Sequence, residues 1–224
     1  VTPNLFGTAY SFVLTNEDFD VIGDAFEYSV KDYCASMISG STASAELKAV
    51  CANLLVYGEA ARVYVGSPAD SITDGIDVSA AVTAHADGAA IGASGTGLSF
   101  TSATVNMRDN VSLVVNVADS AALAGYQLVC QPASGDTYRL TYTAATVSGG
   151  VAKYVIPVGI VNAYTEYTVY LYDVNADEVV SKVYQLSIAG LCTYIEEDVT
   201  DSYSAADEAL AASILNLATA VAAL

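Results

Sequence analysis

The chain has 224 residues, enough for one large domain or two small ones with real cores. Its 25 acidic residues outweigh 7 basic ones to give a formal charge of −18, and no two basic residues stand close in sequence, so nucleic acid and anionic membranes are set aside as partners. Only 14% of residues are charged while 54% are hydrophobic, so either neighbouring subunits cover much of the surface or a neutral exterior of Ala, Ser, Thr, Gly and Tyr does.

In chain order, the opening Val1-Thr2-Pro3-Asn4 has neither the basic start nor the apolar run of a signal peptide. A chain that starts on Val is expected to be a processed one. Thr8-Ala-Tyr-Ser-Phe-Val-Leu14 alternates in the strand period, Asn16-Glu-Asp-Phe-Asp20 supplies an acidic turn, and Phe26-Glu-Tyr-Ser-Val30 returns as a second strand. Val30, Tyr33, Cys34, Met37 and Ile38 then form an apolar helical stripe, which Gly40 is expected to end in a left-handed conformation. Ser44 is placed to cap a second helix, whose stripe holds Leu47, Cys51, Leu54, Gly58 and Ala61.

Residues 67–97 are rich in Gly, Ala, Ser and Asp and hold no helical period. They read as an extended linker with short strands around 76–78 and 81–84. Strand signals follow at 98–106, 112–117, 127–130, 138–143, 152–158, 166–172 and 179–186. The turn residues between them include Arg108-Asp-Asn110, Ser134-Gly-Asp136, Ser148-Gly-Gly150 and Asn175-Ala-Asp177. Short strands at this spacing predict an Ig-like antiparallel β-sandwich. Ser204 caps a last helix with Leu210, Ile214, Leu217, Val221 and Leu224 on one stripe. Its apolar stretch, 209–224, falls short of the roughly 20 residues that span a bilayer and lacks basic flanks, so a packed helix is expected and no transmembrane segment.

The chain also repeats itself. Thr165-Glu-Tyr-Thr-Val-Tyr-Leu171 matches the first strand at an offset of 157, and Tyr184-Gln-Leu-Ser-Ile188 matches the return strand with Cys192 standing 158 beyond Cys34. In the final helices Leu47, Cys51, Leu54, Gly58 and Ala61 align with Leu210, Ile214, Leu217, Val221 and Leu224 at an offset of 163. The predicted class is therefore α+β, an Ig-like β-sandwich with helical hairpins in one and a half repeats. The expected divisions are a partial β-hairpin plus helical hairpin at 1–66, the linker at 67–97, the β-sandwich at 98–190 and a C-terminal helical hairpin at 191–224. The first copy holds only the last two strands of a β-domain, and such a hairpin is marginal in water and leaves open edges.

Tyr28-Ser-Val-Lys-Asp-Tyr33 followed by Ala45-Glu-Leu-Lys-Ala-Val-Cys-Ala-Asn-Leu-Leu-Val-Tyr-Gly-Glu-Ala-Ala61 resembles a module recurrent in large secreted surface proteins of anaerobic Gram-positive bacteria. Ala103-Thr-Val-Asn-Met-Arg-Asp-Asn-Val-Ser-Leu113 is similar to the opening strands of that module's β-domain. The resemblance implies an extracellular, repetitive, structural or adhesive setting and supplies no catalytic residues. The C-terminal copy departs from it, with Ala220-Val221 where the module has Tyr-Gly.

The four cysteines have no metal-binding spacing and one His beside them, so no zinc site or other cofactor is expected. Cys34 and Cys51 fall on facing stripes of the first helical hairpin, and bridging them would be worth about 3 kcal/mol in the chain-entropy model. Cys192 is then left to pair with Cys130; four buried free thiols are the alternative. His85 has no nucleophile motif near it. The carboxylate clusters Glu17-Asp18-Asp20 and Glu196-Glu197-Asp198 read as solvated turns rather than a glycosidase pair. Asp173, Asn175 and Asp177 imitate the start of a calcium loop, but Glu178 and Tyr184 stand where that loop needs Gly and Glu. Asn110-Val-Ser112 forms a glycosylation sequon at a turn and reads as a chance match.

The expected function is that of a non-enzymatic extracellular structural protein, a subunit of a self-assembling filament or cell-surface array whose partners are other copies of itself. Tyr10, Phe12, Tyr167, Tyr170 and Tyr172 are the expected interface residues, since Tyr is favoured at protein interfaces. The alternative is a carbohydrate- or host-binding adhesion module of a larger surface protein, with polysaccharide stacked on the tyrosines.

Overall fold

The computed structural model describes residues 2–107, 110–198 and 200–224. The expected turn at Arg108-Asp-Asn110 therefore lies in part outside the described residues. The chain opens with a hairpin of β1 (Tyr10–Phe12) and β2 (Phe26–Tyr28). Helix α1 (Val30–Ser39) follows at once because Ser29 and Asp32 cap each other's backbone N–H groups. Ser44 accepts from the Leu47 N–H at the start of α2 (Ala45–Tyr64). Gly40 is extended (φ −67, ψ 144) rather than left-handed, and its N–H still donates to the Ser36 carbonyl at the end of α1.

The same devices recur near the C-terminus. Ser187 caps α3 (Ile188–Glu196), and Ser204 with Asp207 forms a capping box on α4 (Ala205–Ala222). α2 packs against α1 and α4, and α3 lies along α4. Among the described residues α4 is the one helix long and apolar enough to cross a membrane by length and composition, and here it is packed against α2 and α3. The caps Ser44 and Ser204 stand 160 apart. Counted from the caps, the two helices differ by 160 and the apolar stripes align at 163, about one helical turn apart, and a shift of one turn keeps an apolar stripe on its face.

Two larger antiparallel sheets lie between the helical pairs in sequence. One is ordered β4 (Ser102–Asn106), β5 (Ser112–Ala118), β9 (Val151–Ile156), β8 (Thr146–Ser148). The other is ordered β3 (Gly92–Ser94), β12 (Val183–Leu186), β10 (Tyr167–Asp173), β6 (Tyr126–Pro132), β7 (Tyr138–Thr141), with β11 (Glu178–Val179) also on β10. Leu113, Val115, Tyr154 and Ile156 from the first sheet and Leu128, Cys130, Val169 and Leu171 from the second are buried in one hydrophobic cluster with the helices. The fold is thus mixed α+β with antiparallel sheets. The single strand expected at 179–186 is split, because the buried Ser181 side chain takes the Leu171 N–H in place of a strand partner.

Residues 67–97 differ most from expectation. Neither 76–78 nor 81–84 is a strand, while β3 near the end of the segment joins β12. The remainder is a strap pinned to both halves of the molecule. Glu59 pairs with Arg62 at 2.6 Å and also accepts the Ile72 N–H, while Arg62 donates to the Ser67 and Ala69 carbonyls. Ile72 is buried over Gly58, where a Cβ would sit 2.8 Å from Phe6. His85 bridges Asn216 of α4 and Glu196 of α3 at 2.9 and 3.0 Å. Beyond it the strap crosses the first turn of α3 so closely that a Cβ on Gly88 would lie 2.0 Å from the Gly190 nitrogen.

Two outcomes follow from this strap. Gly88→Ala and Gly190→Ala each place a methyl group into backbone, and each is expected to cost roughly 3 kcal/mol or more in urea unfolding. Arg62, through its hydrogen bond above all, holds the Glu59 carboxyl below its ordinary 4.5. That contribution is complete above the ordinary value and is lost as pH falls through the lowered folded one. Glu59→Gln should therefore flatten the acid limb of a plot of stability against pH.

Candidate assembly surface and buried cysteines

The β1–β2 hairpin pairs Tyr10 with Tyr28, Ser11 with Glu27 and Phe12 with Phe26, and no further strand joins it among the described residues. Tyr10, Phe12, Phe26 and Tyr28 share one face, with the Phe12 and Phe26 rings stacked at 5.3 Å. Phe12 is 52% exposed, Phe26 57%, Leu14 71% and Phe19 86%, so the patch is apolar and open to solvent. Asn16 shapes the turn by accepting the Asp18 and Asp20 N–H groups, and Phe19 takes a positive φ of 65 beside them.

The β10–β12 hairpin has the same register. Tyr167 pairs with Leu186, Thr168 with Gln185 and Val169 with Tyr184, which are the β1–β2 pairs moved by 157 on one strand and 158 on the other. Surroundings separate them. β10 is flanked by β6 along its whole length and continues to Asp173, while β1 stops at Phe12. Val169 and Leu171 are fully buried, whereas their counterparts Phe12 and Leu14 lie in water. The bare face of the N-terminal hairpin is the face that forms core in the other one.

The expected interface residues divide accordingly. Phe12 is exposed and Tyr10 half-buried at the hairpin, and Tyr170 and Tyr172 are half-buried on the outer side of β10. The Tyr172 hydroxyl donates to Asp177 in the adjoining turn. Tyr167 does not belong with them: it is 2% exposed, points into the core, and burial pushes its hydroxyl up to about 12. The strand period alone offers two faces and cannot say which one the protein covers for itself.

All four cysteines are free and buried, so neither expected disulfide is present. Cys34 and Cys51 do meet across α1 and α2, thiol hydrogen-bonded to thiol, as their stripes predicted. Burial first, then Cys51, pushes Cys34 up to about 12. Cys130 lies on β6 and Cys192 on α3, each as a free, buried thiol. Burial raises both to about 12, with Glu196 adding to the effect at Cys192.

Sequence reasoning missed the role of His85, whose ring anchors the strap through Asn216 and Glu196. The signal was faint, since its partners lie more than 100 residues away. Asp198 accepts from Thr200, Ser202 and Tyr203 and so organises the turn before α4. Those hydrogen bonds, Thr200's above all, hold its carboxyl below the usual range. Asp173 likewise closes its own turn by accepting from Asn175 and Ala176. An apolar hollow of about 350 Å³ opens beside Val56, Ala60, Val63, Val78, Ala206 and Ala209.

Comparison with known proteins gave no matching family model, no matching curated protein and no matching solved structure.

Because thiolate is the reactive form, these thiols are expected to resist alkylation in the native chain at mildly alkaline pH. Unfolding the reduced protein should expose four alkylatable groups by mass spectrometry.

Proposed function

We propose that this chain is an extracellular structural subunit that assembles with copies of itself into a filament or surface array, without enzymatic activity. The observation that carries the reading is the N-terminal hairpin, apolar on one face and, among the described residues, unpaired at both edges. Soluble monomers rarely leave a contiguous apolar patch bare, and an open strand edge is a template for another chain. In an assembly, a neighbouring subunit covers both. The resemblance to repetitive secreted surface proteins agrees with this reading, as does the low content of charged residues.

The finer architecture proposed is an Ig-like sandwich in one and a half repeats. Support for the sandwich comes from strand order. β4-β5-β9-β8 corresponds to the A-B-E-D sheet of an Ig domain, and β12-β10-β6-β7 to G-F-C-C′. Support for the repeat comes from the shared hairpin register and from the caps Ser29 and Ser187, which stand 158 apart. On this reading the N-terminal hairpin is an F–G pair without the rest of its domain.

Sedimentation velocity should find the isolated chain self-associating as its concentration rises; a single monomeric species at every concentration overturns the proposal. Phe12→Asp and Leu14→Asp alter exposed side chains, so each should change folding stability by no more than about 0.5 kcal/mol while suppressing association.

A further inference from the structure

The assembly reading leaves open which surface of a neighbour covers the hairpin, and the free strand edges of the chain differ enough to choose one. An occupant of the β1 edge needs an unpaired edge of its own, with apolar residues alternating to meet Tyr10 and Phe12. It also needs a charge that tolerates the hairpin, where Glu17, Asp18, Asp20, Asp24 and Glu27 are answered by no Lys or Arg before Lys31. The whole chain is acidic, so most of a second copy's surface repels this region.

Among the described edge strands, β3, β4 and β8 carry no charged side chain, and β11 carries Glu178. β7 carries Arg139. Its other side, away from β6, has no strand partner among the described residues. Tyr138 and Leu140 lie on the inner face of β7, level with Cys130 and Leu128 of β6, and Arg139 and Thr141 are exposed. Arg139 makes no ion pair among the described residues.

We propose that β1 of one copy pairs antiparallel with the free edge of β7 in a second copy, extending its sheet by two strands. Tyr10 and Phe12 then continue the inner face set by Tyr138 and Leu140. On the outer face Arg139 looks across Ser11 to Glu27, which is paired with Ser11 and so lies on that face. Two strand spacings, about 10 Å, separate the Arg139 and Glu27 backbones, within the combined reach of the two side chains over a small Ser. Pairing β7 with β7 would oppose two arginines, and pairing β1 with β1 would oppose two acidic hairpins. Only the unlike pairing is favoured, and a contact between unlike surfaces that does not close propagates as a chain of subunits.

The inference rests on the assembly reading, and a charge swap tests it. Arg139 and Glu27 are both exposed, so their variants should keep the native circular dichroism spectrum. Arg139→Glu and Glu27→Arg should each weaken association roughly three- to tenfold in sedimentation velocity, and the double variant should recover to within about twofold of the unaltered chain. The neutral variants Arg139→Gln and Glu27→Gln should each weaken association less than the reversals, and combining them should weaken it little further, because the pair is already lost in either one. If the unaltered chain associates but the single reversals do not weaken it, or the double fails to recover, the β1–β7 pairing is overturned and assembly stands. An unaltered chain that stays monomeric overturns both.

Discussion

A β-strand in water is satisfied only when its edges are paired and its apolar face is covered, and this constraint governs the molecule. Two hairpins share one register and nearly one pattern of residues. In β10–β12 the demand is met by β6 along one edge, β3 along the other and a common core beneath. In β1–β2 nothing meets it among the described residues, and the strand stops after three residues. Strand length here follows from the neighbour rather than from local propensity, since the residues after Phe12 are as apolar as those after Val169.

The rest of the fold holds that hairpin in the open. The Phe6 carbonyl just before β1 accepts the Lys31 N–H of α1, so the hairpin's base is fixed to the helices. α2 and α4 pack together, and the strap over 67–91 ties α2, α3 and α4 to one another through Ile72, His85 and the Gly88–Gly190 crossing. A rigid mount matters for assembly, because an apolar surface held in one geometry loses less conformational entropy when it is covered.

Burial also decides the chemistry of the reactive groups. The cysteines are candidates for cross-linking by their residue type alone, yet each is enclosed and its thiol held well above the reactive range or otherwise shielded by burial. Asn16 and Asp198 close the turns beside the acidic clusters, and the single histidine joins three segments distant in sequence.

The sequence by itself determined the local devices. Caps at Ser44 and Ser204, the apolar stripes and most of the strands from β4 onward were legible, because each depends on residues within a few positions. It also gave the contact of Cys34 with Cys51, whose helices are adjacent in sequence. Tertiary structure decided whatever depended on distant neighbours. The strap was hidden because its partners lie across the fold. Tyr167 became core and Phe12 surface for the same reason. Alternation gives a strand two faces, and only the presence or absence of a covering sheet assigns one of them to the interior.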